Sequence, residues 1–211
     1  MAKFQLRFWQ NVVRAHISPV LFVFVLFAMG CLFGFMLVMA LSIDQHQQLS
    51  SYIGGFLQTA IQGEISDIQL TFWQAYSVHL KWLALTWMLG ISVIGLPLVI
   101  VLDFMKGALV GFTITYLTTQ FSWKGLLFSL LAIVPGNLLF VPALLICSAS
   151  SITFAIVLVR ARLQPGGQHL GRSFWRFTCL HGAMLIVAAV AACLEVFLSP
   201  YLLRWLAPMM V

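Results

Sequence analysis

The sequence predicts an all-α, polytopic integral membrane protein with about five transmembrane helices. Of its 211 residues, 62% are hydrophobic and only 8% are charged, whereas a typical soluble domain is about 25% charged. The apolar residues are gathered into runs that reach the roughly 20 residues needed to cross a bilayer core. In hydrocarbon, helices satisfy their own backbone hydrogen bonds one segment at a time. We therefore expect a single membrane domain over residues 1–211.

The distribution of basic residues predicts the orientation. The formal net charge is +6, which in a soluble protein would suggest nucleic acid. In a membrane protein, Lys and Arg mark the cytoplasmic flanks. They form one group before the first span and another before the last, namely Lys3, Arg7 and Arg14, and Arg160, Arg162, Arg172 and Arg176. We expect the amino terminus inside, the carboxyl terminus outside, contact with membrane lipid and no nucleic-acid partner.

The first predicted span covers residues 18–41. It is longer than the apolar region of about 7–15 residues in a cleaved signal peptide, so we expect a retained anchor. Gly30 and Gly34 lie four residues apart within it, a spacing that lets two helix backbones approach closely. Packing within the monomer is favoured over a dimer contact, although a homo-oligomer is the alternative.

Residues 42–79 form the only long polar segment and contain three acidic residues but no Lys or Arg, so we expect them to lie outside the cell. Apolar residues recur there every three or four positions, the period of one helix face. They are Leu49, Tyr52, Ile53, Phe56, Leu57, Ala60 and Ile61, then Ile65, Ile68, Phe72, Trp73 and Tyr76. One or two amphipathic helices are predicted, whose apolar stripe rests on lipid and the protein's own spans or docks another protein.

The next two spans are predicted over residues 80–102 and 104–120 as a tight hairpin that forms the packing centre of the chain. Pro97 should kink the first of them, while Gly107 and Gly111 supply a second close-packing face on the other. Asp103 and Lys106 would then lie in the solvated inner turn. In the alternative, a re-entrant arrangement, the pair is buried and matters to transport, since charges at membrane depth are costly and usually functional.

A broken helix is predicted over residues 126–159, since this apolar run exceeds one perpendicular span. The expected break falls near Asn137 and is marked by Pro135 and Pro142. Such a break accommodates excess length, although unwound segments also form substrate sites in transporters. The last predicted span covers residues 177–198.

Catalytic and metal-binding motifs are absent from the sequence. It contains no HExxH, GxSxG or phosphate-loop pattern, and the four cysteines show no CxxC spacing. These cysteines lie in or beside apolar segments, where they are expected to act as small packing residues. We predict no enzyme activity, no cofactor and no metal site.

Several stretches, taken in order, resemble the stage II sporulation protein M family. They are VLFAMGCLFGF in the first span, then WMLGISVIGLPLVIVLDFMKGALVGFT, the Pro-x-Asn at residues 135–137, the basic loop and LEVFLSPYL. The resemblance covers essentially the whole chain. It implies a multi-pass protein of the bacterial cell membrane, located at the sporulation septum and the engulfing membrane.

The resemblance also implies a function and partners. Members are similar to non-enzymatic scaffolds that recruit two peptidoglycan hydrolases, stage II sporulation proteins D and P, for septal cell-wall remodelling and membrane migration during forespore engulfment. The outer segment would then provide the docking residues, for which the candidates are Phe56, Leu57, Ile61 and Trp73. The competing hypothesis is a small-solute or lipid transporter that uses the broken fourth helix and the turn at Asp103 and Lys106. Few polar residues are expected at the bilayer midplane, which favours the scaffold.

Overall fold

A computed structural model of the chain describes residues 2–61, 68–132, 134–163 and 170–210. For residues 2–17, 53–54, 56–61, 68–70, 121–122, 124, 126, 128–132, 134–135 and 199–210 the description is limited to the backbone. Over these ranges the regular structure is entirely helical, which confirms the all-α prediction. The six helices are α1 (Ala2–Met39), α2 (Ile43–Ile61), α3 (Ile68–Ile91), α4 (Gly95–Ala132), α5 (Val134–Leu163) and α6 (Leu170–Met210).

Four of these helices contain a segment long and apolar enough to cross a membrane. The segments are Ser18–Met39, Gly95–Gln120, Gly136–Leu163 and Leu170–Leu198. A polytopic membrane protein is thereby confirmed, with four spans by length and composition where about five were predicted. The remaining long helix, α3, contains 24 residues. It lies beside α5 and α6, although it contains no segment apolar enough to be a candidate span.

The predicted hairpin at residues 103–106 is wrong, because α4 runs without interruption from Gly95 to Ala132. The chain instead reverses at residues 92–94, where the Ser92 amide donates to the Leu89 carbonyl at 3.0 Å. A Cβ at Gly95 would collide with the backbone of Leu89, so the turn requires a glycine. Pro97 lies in the first turn of α4, where its missing N–H has no helical partner to lose. The predicted kink at Pro97 is therefore also wrong.

Contacts between the helices fix their directions. The α1–α4 pair is parallel, because Gly30 faces Phe104 and Gly34 faces Ala108. Side-chain contacts make α5 antiparallel to α4 and parallel to α3, and α6 antiparallel to α3. Helices α1, α4 and α6 thus run one way, and α3 and α5 run the other. We call the end that holds the α3–α4 turn and the start of α6 the basic end, and the opposite one the α2 end.

The core lies mainly between α3, α5 and α6. Its largest cluster is formed by Leu83, Phe140, Leu144, Cys147, Ala188 and Ala191. Small residues on α6 bring that helix close to α5. Helix α4 ends at Ala132 and helix α5 begins at Val134, whereas the break was predicted near Asn137. Pro135 and Asn137 lie in the first turn of α5, whereas Pro142 lies inside the helix.

Helix α2 begins with a reciprocal cap. The Ser42 amide donates to Oε1 of Gln45 at 3.0 Å, and the Gln45 amide donates to Oγ of Ser42 at 3.4 Å. This capping box satisfies two amides at the start of the helix. The Tyr116 hydroxyl on α4 also donates to the His46 carbonyl at 3.1 Å. The first turn of α2 is thereby fixed to the bundle.

Candidate functional site

A buried carboxylate occupies the interior of the bundle. Asp103 on α4 has no exposed surface, and the Ser148 hydroxyl on α5 donates to its Oδ1 at 2.7 Å. Among the described residues, Oδ2 of Asp103 is buried without a hydrogen-bond partner. The solvated position predicted for Asp103 is therefore wrong. Asp103 is buried, as in the alternative, but it lies on a continuous helix and not in a re-entrant segment. A polar group left in this state is costly, so intramembrane carboxylates commonly mark functional sites.

This carboxylate lies in the middle part of the candidate membrane span Gly95–Gln120 of α4. Asp103 and Lys106 lie eight and eleven residues after Gly95, or about 12 and 16 Å along a helix axis. The hydrocarbon core of a bilayer is about 30 Å thick. If α4 crosses the membrane along its axis, both charged groups lie close to the midplane.

Lys106 extends from α4 into an aromatic environment. Its Nζ lies 5.2 Å from the ring centre of Phe140 on α5 and 5.4 Å from that of Trp82 on α3. An ammonium at this distance is attracted to the electron-rich face of an aromatic ring, and the attraction is stronger where water is excluded. Two aromatic faces thus partly replace the hydration shell that Lys106 loses inside the bundle.

A histidine–carboxylate pair lies beside Phe140. Nε2 of His79 on α3 is 3.1 Å from Oε2 of Glu195 on α6. The His79 ring stacks on Phe140 with 4.1 Å between ring centres, so the same phenyl ring contacts both His79 and Lys106. The Glu195 side chain is 46% exposed. A Cβ at Gly136 would lie 3.3 Å from the Glu195 side chain, so this glycine leaves room for the carboxylate.

We call the five residues Asp103, Ser148, Lys106, His79 and Glu195 the polar network. It draws on α3, α4, α5 and α6 and consists of two hydrogen-bonded pairs, Asp103–Ser148 and His79–Glu195, with Lys106 against the Phe140 ring that His79 also contacts. It combines two carboxyl groups, an amine and an imidazole, which are groups that can gain or lose a proton.

Hydroxyl groups join the helices that carry the polar network. Ser151 on α5 lies 2.9 Å from the carbonyl oxygens of Thr86 on α3 and of Cys147. The indole N–H of Trp87 donates to the Thr178 hydroxyl on α6 at 3.3 Å. Side-chain hydrogen bonds of this kind help to hold membrane helices together, since no hydrophobic force acts between them. They fix the position of α3 against α5 and α6.

The structure brings the four predicted packing glycines into one contact. A Cβ at Gly30 or Gly34 would collide with the α4 backbone, and one at Gly107 or Gly111 with the α1 backbone. Gly107 would meet the carbonyl of Phe27 in this way. The two motifs therefore face each other inside one chain, as the interpretation of packing within the monomer requires. They define a helix contact of glycine against backbone between α1 and α4.

The predicted docking residues lie at the α2 end. Trp73 is 56% exposed and meets Tyr76 edge to face at 6.1 Å between ring centres. The side chains of Phe56, Leu57 and Ile61 lie outside the described part of the chain, although their backbone belongs to α2. The structure therefore gives no contact for these three side chains.

Sequence reasoning did not identify Ser148, His79 and Glu195 as neighbours of the charged residues on α4. A signal was nevertheless present. Asp103 and Glu195 are the acidic residues within the four candidate spans, and acidic residues at such positions usually face the interior of a helix bundle. The α5 run Cys147-Ser148-Ala149-Ser150-Ser151 similarly marks a small, polar helix face. Only the packing arrangement of the helices in the structure shows that these residues meet.

Together, the bundle of apolar helices, the glycine contact and the buried polar network define a multi-pass α-helical membrane protein. A family profile described as Stage II sporulation protein M matches residues 23–200. The chain therefore belongs to the stage II sporulation protein M family, and the resemblance found in the sequence is confirmed. This membership places the chain among sporulation-related membrane proteins. Neither a curated protein nor a solved structure gives a significant match.

Proposed function

We propose that this protein is a non-enzymatic membrane scaffold that binds cell-wall hydrolases outside the cell. The partners are enzymes resembling stage II sporulation proteins D and P, held at the septum for peptidoglycan remodelling and membrane migration during forespore engulfment. Family membership supports a sporulation-related role. The observation that carries the proposal is α2, a helix fixed at its first turn that exposes Ile43 and Tyr52.

The attachment of α2 to the bundle is what suits it to docking. Its start is capped, and Tyr116 binds the backbone at His46. Ile43 at the start of α2 is 77% exposed, and Tyr52 farther along the helix is 78% exposed. A helix ordered before binding loses less conformational entropy when a partner arrives. Exposed apolar groups on such a helix are therefore an effective contact surface.

Aromatic residues at the start of α3 extend this surface. Phe72 and Tyr76 stack nearly parallel, with 5.8 Å between ring centres and 4° between planes, and the exposed Trp73 packs against both. Because α2 follows α1 and α3 begins opposite the α3–α4 turn, both elements lie at the α2 end. Trp and Tyr are the side chains that most often anchor protein interfaces.

Co-purification from detergent-solubilised membranes of the source bacterium tests the proposal. The test variant carries Phe56→Glu, Leu57→Glu and Ile61→Glu on the predicted apolar face of α2. The matched control carries Gln47→Glu, Ser51→Glu and Gln58→Glu on the opposite face, so that helix and added charge are the same. Hydrolases identified by mass spectrometry should accompany the native chain and the control but not the test variant.

Two results would contradict the scaffold. One is that no cell-wall hydrolase accompanies the native chain. The other is that the test variant, present at the native abundance, retains its hydrolases as well as the control does. The second result would remove α2 from the docking surface, and the first would remove the scaffold itself.

Transport of a small solute or lipid is the second candidate function, and the polar network specifically favours it. Transporters place polar groups near the bilayer midplane, where Asp103 and Lys106 lie if α4 spans the membrane. The turn at Asp103 and Lys106 that the transport hypothesis requires does not exist, because α4 is continuous. Asp103→Asn in reconstituted vesicles separates the candidates. Lost solute flux with hydrolases still bound would favour transport, whereas unchanged flux and unchanged hydrolase binding would favour the scaffold.

A further inference from the structure

A cleft of about 450 Å³ lies at the basic end, between the start of the α1 span, the second half of α5 and the start of α6. Its walls are mainly apolar and include Pro19, Ile146 and Leu180. Its polar lining residues are Ser150 and Thr153 on α5 and Ser173 and Arg176 on α6, and Arg176 is the charged one. The cleft thus combines a cationic group with an apolar channel between helices.

The charge around this cleft is of one sign. The sequence contains no Asp or Glu between Asp103 and Glu195, whereas Arg160, Arg162, Arg172 and Arg176 all fall in that interval. Among the described residues the only ion pair is that of His79 and Glu195, so no carboxylate there neutralises Arg176. An anion is therefore the complementary ligand for the cationic group of the cleft.

The shape of the cleft adds a second requirement. Its α5 wall runs from Ile146 to Val157, a distance of eleven residues or about 16 Å along the helix. Phe154 and Phe177 also line it, and their rings stack with 4.8 Å between centres. A free inorganic anion would leave this length of apolar surface unoccupied. A ligand with an anionic head and a long hydrocarbon chain would cover it.

We propose that the cleft binds one anionic phospholipid of the leaflet at the basic end. The phosphate contacts Arg176 and Ser173, and one acyl chain follows the apolar wall of α5 toward Ile146. Basic pockets between spans on the cytoplasmic side are known to hold anionic lipid headgroups. This lipid would connect α1 to α6 at an end where the glycine contact joins α1 only to α4. The proposal is independent of both the scaffold and transport.

Native mass spectrometry of the full chain tests the proposal, with phosphatidylglycerol and phosphatidylcholine of identical acyl chains added to the protein in a neutral detergent. The native protein should retain a single phosphatidylglycerol about fivefold to tenfold more tightly than phosphatidylcholine, since one basic group near a membrane surface accounts for a difference of this size. Arg176→Gln should remove the preference. Arg172→Gln is the matched control, because Arg172 lies one helical turn earlier and outside the cleft lining.

A second variant tests the apolar part of the site. Val20 on α1 also lines the cleft, and Val20→Trp should block it and reduce the binding of both lipids, with an unchanged melting temperature showing that the variant is folded. Equal retention of the two lipids by the native protein would overturn the proposal. So would equal loss of preference in both arginine variants. Displacement of phosphatidylglycerol by millimolar inorganic phosphate would also overturn it, since the site would then be one for a free anion.

Discussion

The contact between α1 and α4 predicts opposite effects for the same substitution at two glycines. Gly111→Ala places a methyl group against the backbone of Cys31, with 2.7 Å between the new Cβ and the Cys31 Cα. Gly182→Ala on α6 adds the same group where the structure has no atom within 4 Å. Both glycines lie inside helices, so the two variants share any gain in helix propensity. Their difference isolates the cost of the contact.

The magnitude follows from how far the helices must separate. Ordinary van der Waals contact begins near 3.4 Å, so relief at the Cys31 Cα alone requires a shift of about 0.7 Å, the difference between 3.4 and 2.7 Å. The obstacle is backbone, so the whole of α1 must move and the contacts of Gly30, Gly34 and Gly107 loosen with it. Overpacking of a tight interior typically costs about 1–3 kcal/mol. Alanine in place of glycine in a helix contributes about 0.5–1 kcal/mol of stability.

The assay is unfolding of the purified protein by addition of SDS to mild-detergent micelles, followed by circular dichroism. Gly182→Ala should match or exceed the native stability, and Gly111→Ala should be about 1–3 kcal/mol less stable than Gly182→Ala, or about 5-fold to 150-fold in the unfolding equilibrium. Gly111→Leu should lose more. The reasoning fails if the Gly111→Ala and Gly182→Ala proteins unfold at the same SDS fraction.

Three further predictions follow from single contacts. In a double-mutant cycle of Asp103→Ala and Ser148→Ala, SDS unfolding should give a coupling energy of about 0.6–1.7 kcal/mol, the range for hydrogen bonds between membrane helices. A coupling energy near zero would contradict the hydrogen bond. Tyr116→Phe removes the hydroxyl bound to His46, so hydrogen exchange should quicken in the first half of α2 but not in the centre of α4, and unchanged exchange in α2 would count against the anchor. Pro97→Ala should change the free energy of unfolding by less than about 1 kcal/mol, because Pro97 lies in the first helical turn. A gain that approaches the roughly 3 kcal/mol cost of a proline inside a helix would show instead that Pro97 kinks the helix.

Much of the fold follows from the sequence because hydrophobic length and glycine spacing are local signals. The first span was predicted at residues 18–41 and lies at Ser18–Met39. The last was predicted at residues 177–198 and lies within α6. Each of the two glycine pairs was also identified as a packing face. What spacing cannot supply is the partner of a face, since either pair could equally have met another helix or a second copy of the chain.

The error in the middle of the chain has a definite physical origin. Charged residues inside an apolar run usually mark a solvated turn, so the prediction placed the turn at Asp103 to Lys106 and joined the end of α3 and the start of α4 into one span over residues 80–102. The turn lies instead at residues 92–94, where Ser92, Gly95 and Pro97 supply turn and helix-start chemistry. Asp103 and Lys106 are accommodated inside the bundle because Ser148, Phe140 and Trp82 from two other helices contact them. Those contacts are 24 to 45 residues distant in sequence, beyond the reach of any local pattern.

The two parts of the bundle are held together by different interactions, and this division bears on both candidate functions. Helices α1 and α4 meet through their glycines and backbone and through the Phe33–Phe104 ring contact, whereas α3, α5 and α6 are joined by Ser151, Trp87 and the His79–Glu195 pair. Close backbone packing changes little when a proton is gained or lost, but a histidine–carboxylate pair and a buried carboxylate respond directly. Helix α2 is attached to α4 through Tyr116 and also lies against α6, and these two helices carry Asp103, Lys106 and Glu195. The docking surface proposed on α2 thus rests on the helices that hold the charged groups of the polar network, and the paired measurement of hydrolase binding and solute flux in Asp103→Asn tests whether the two are coupled.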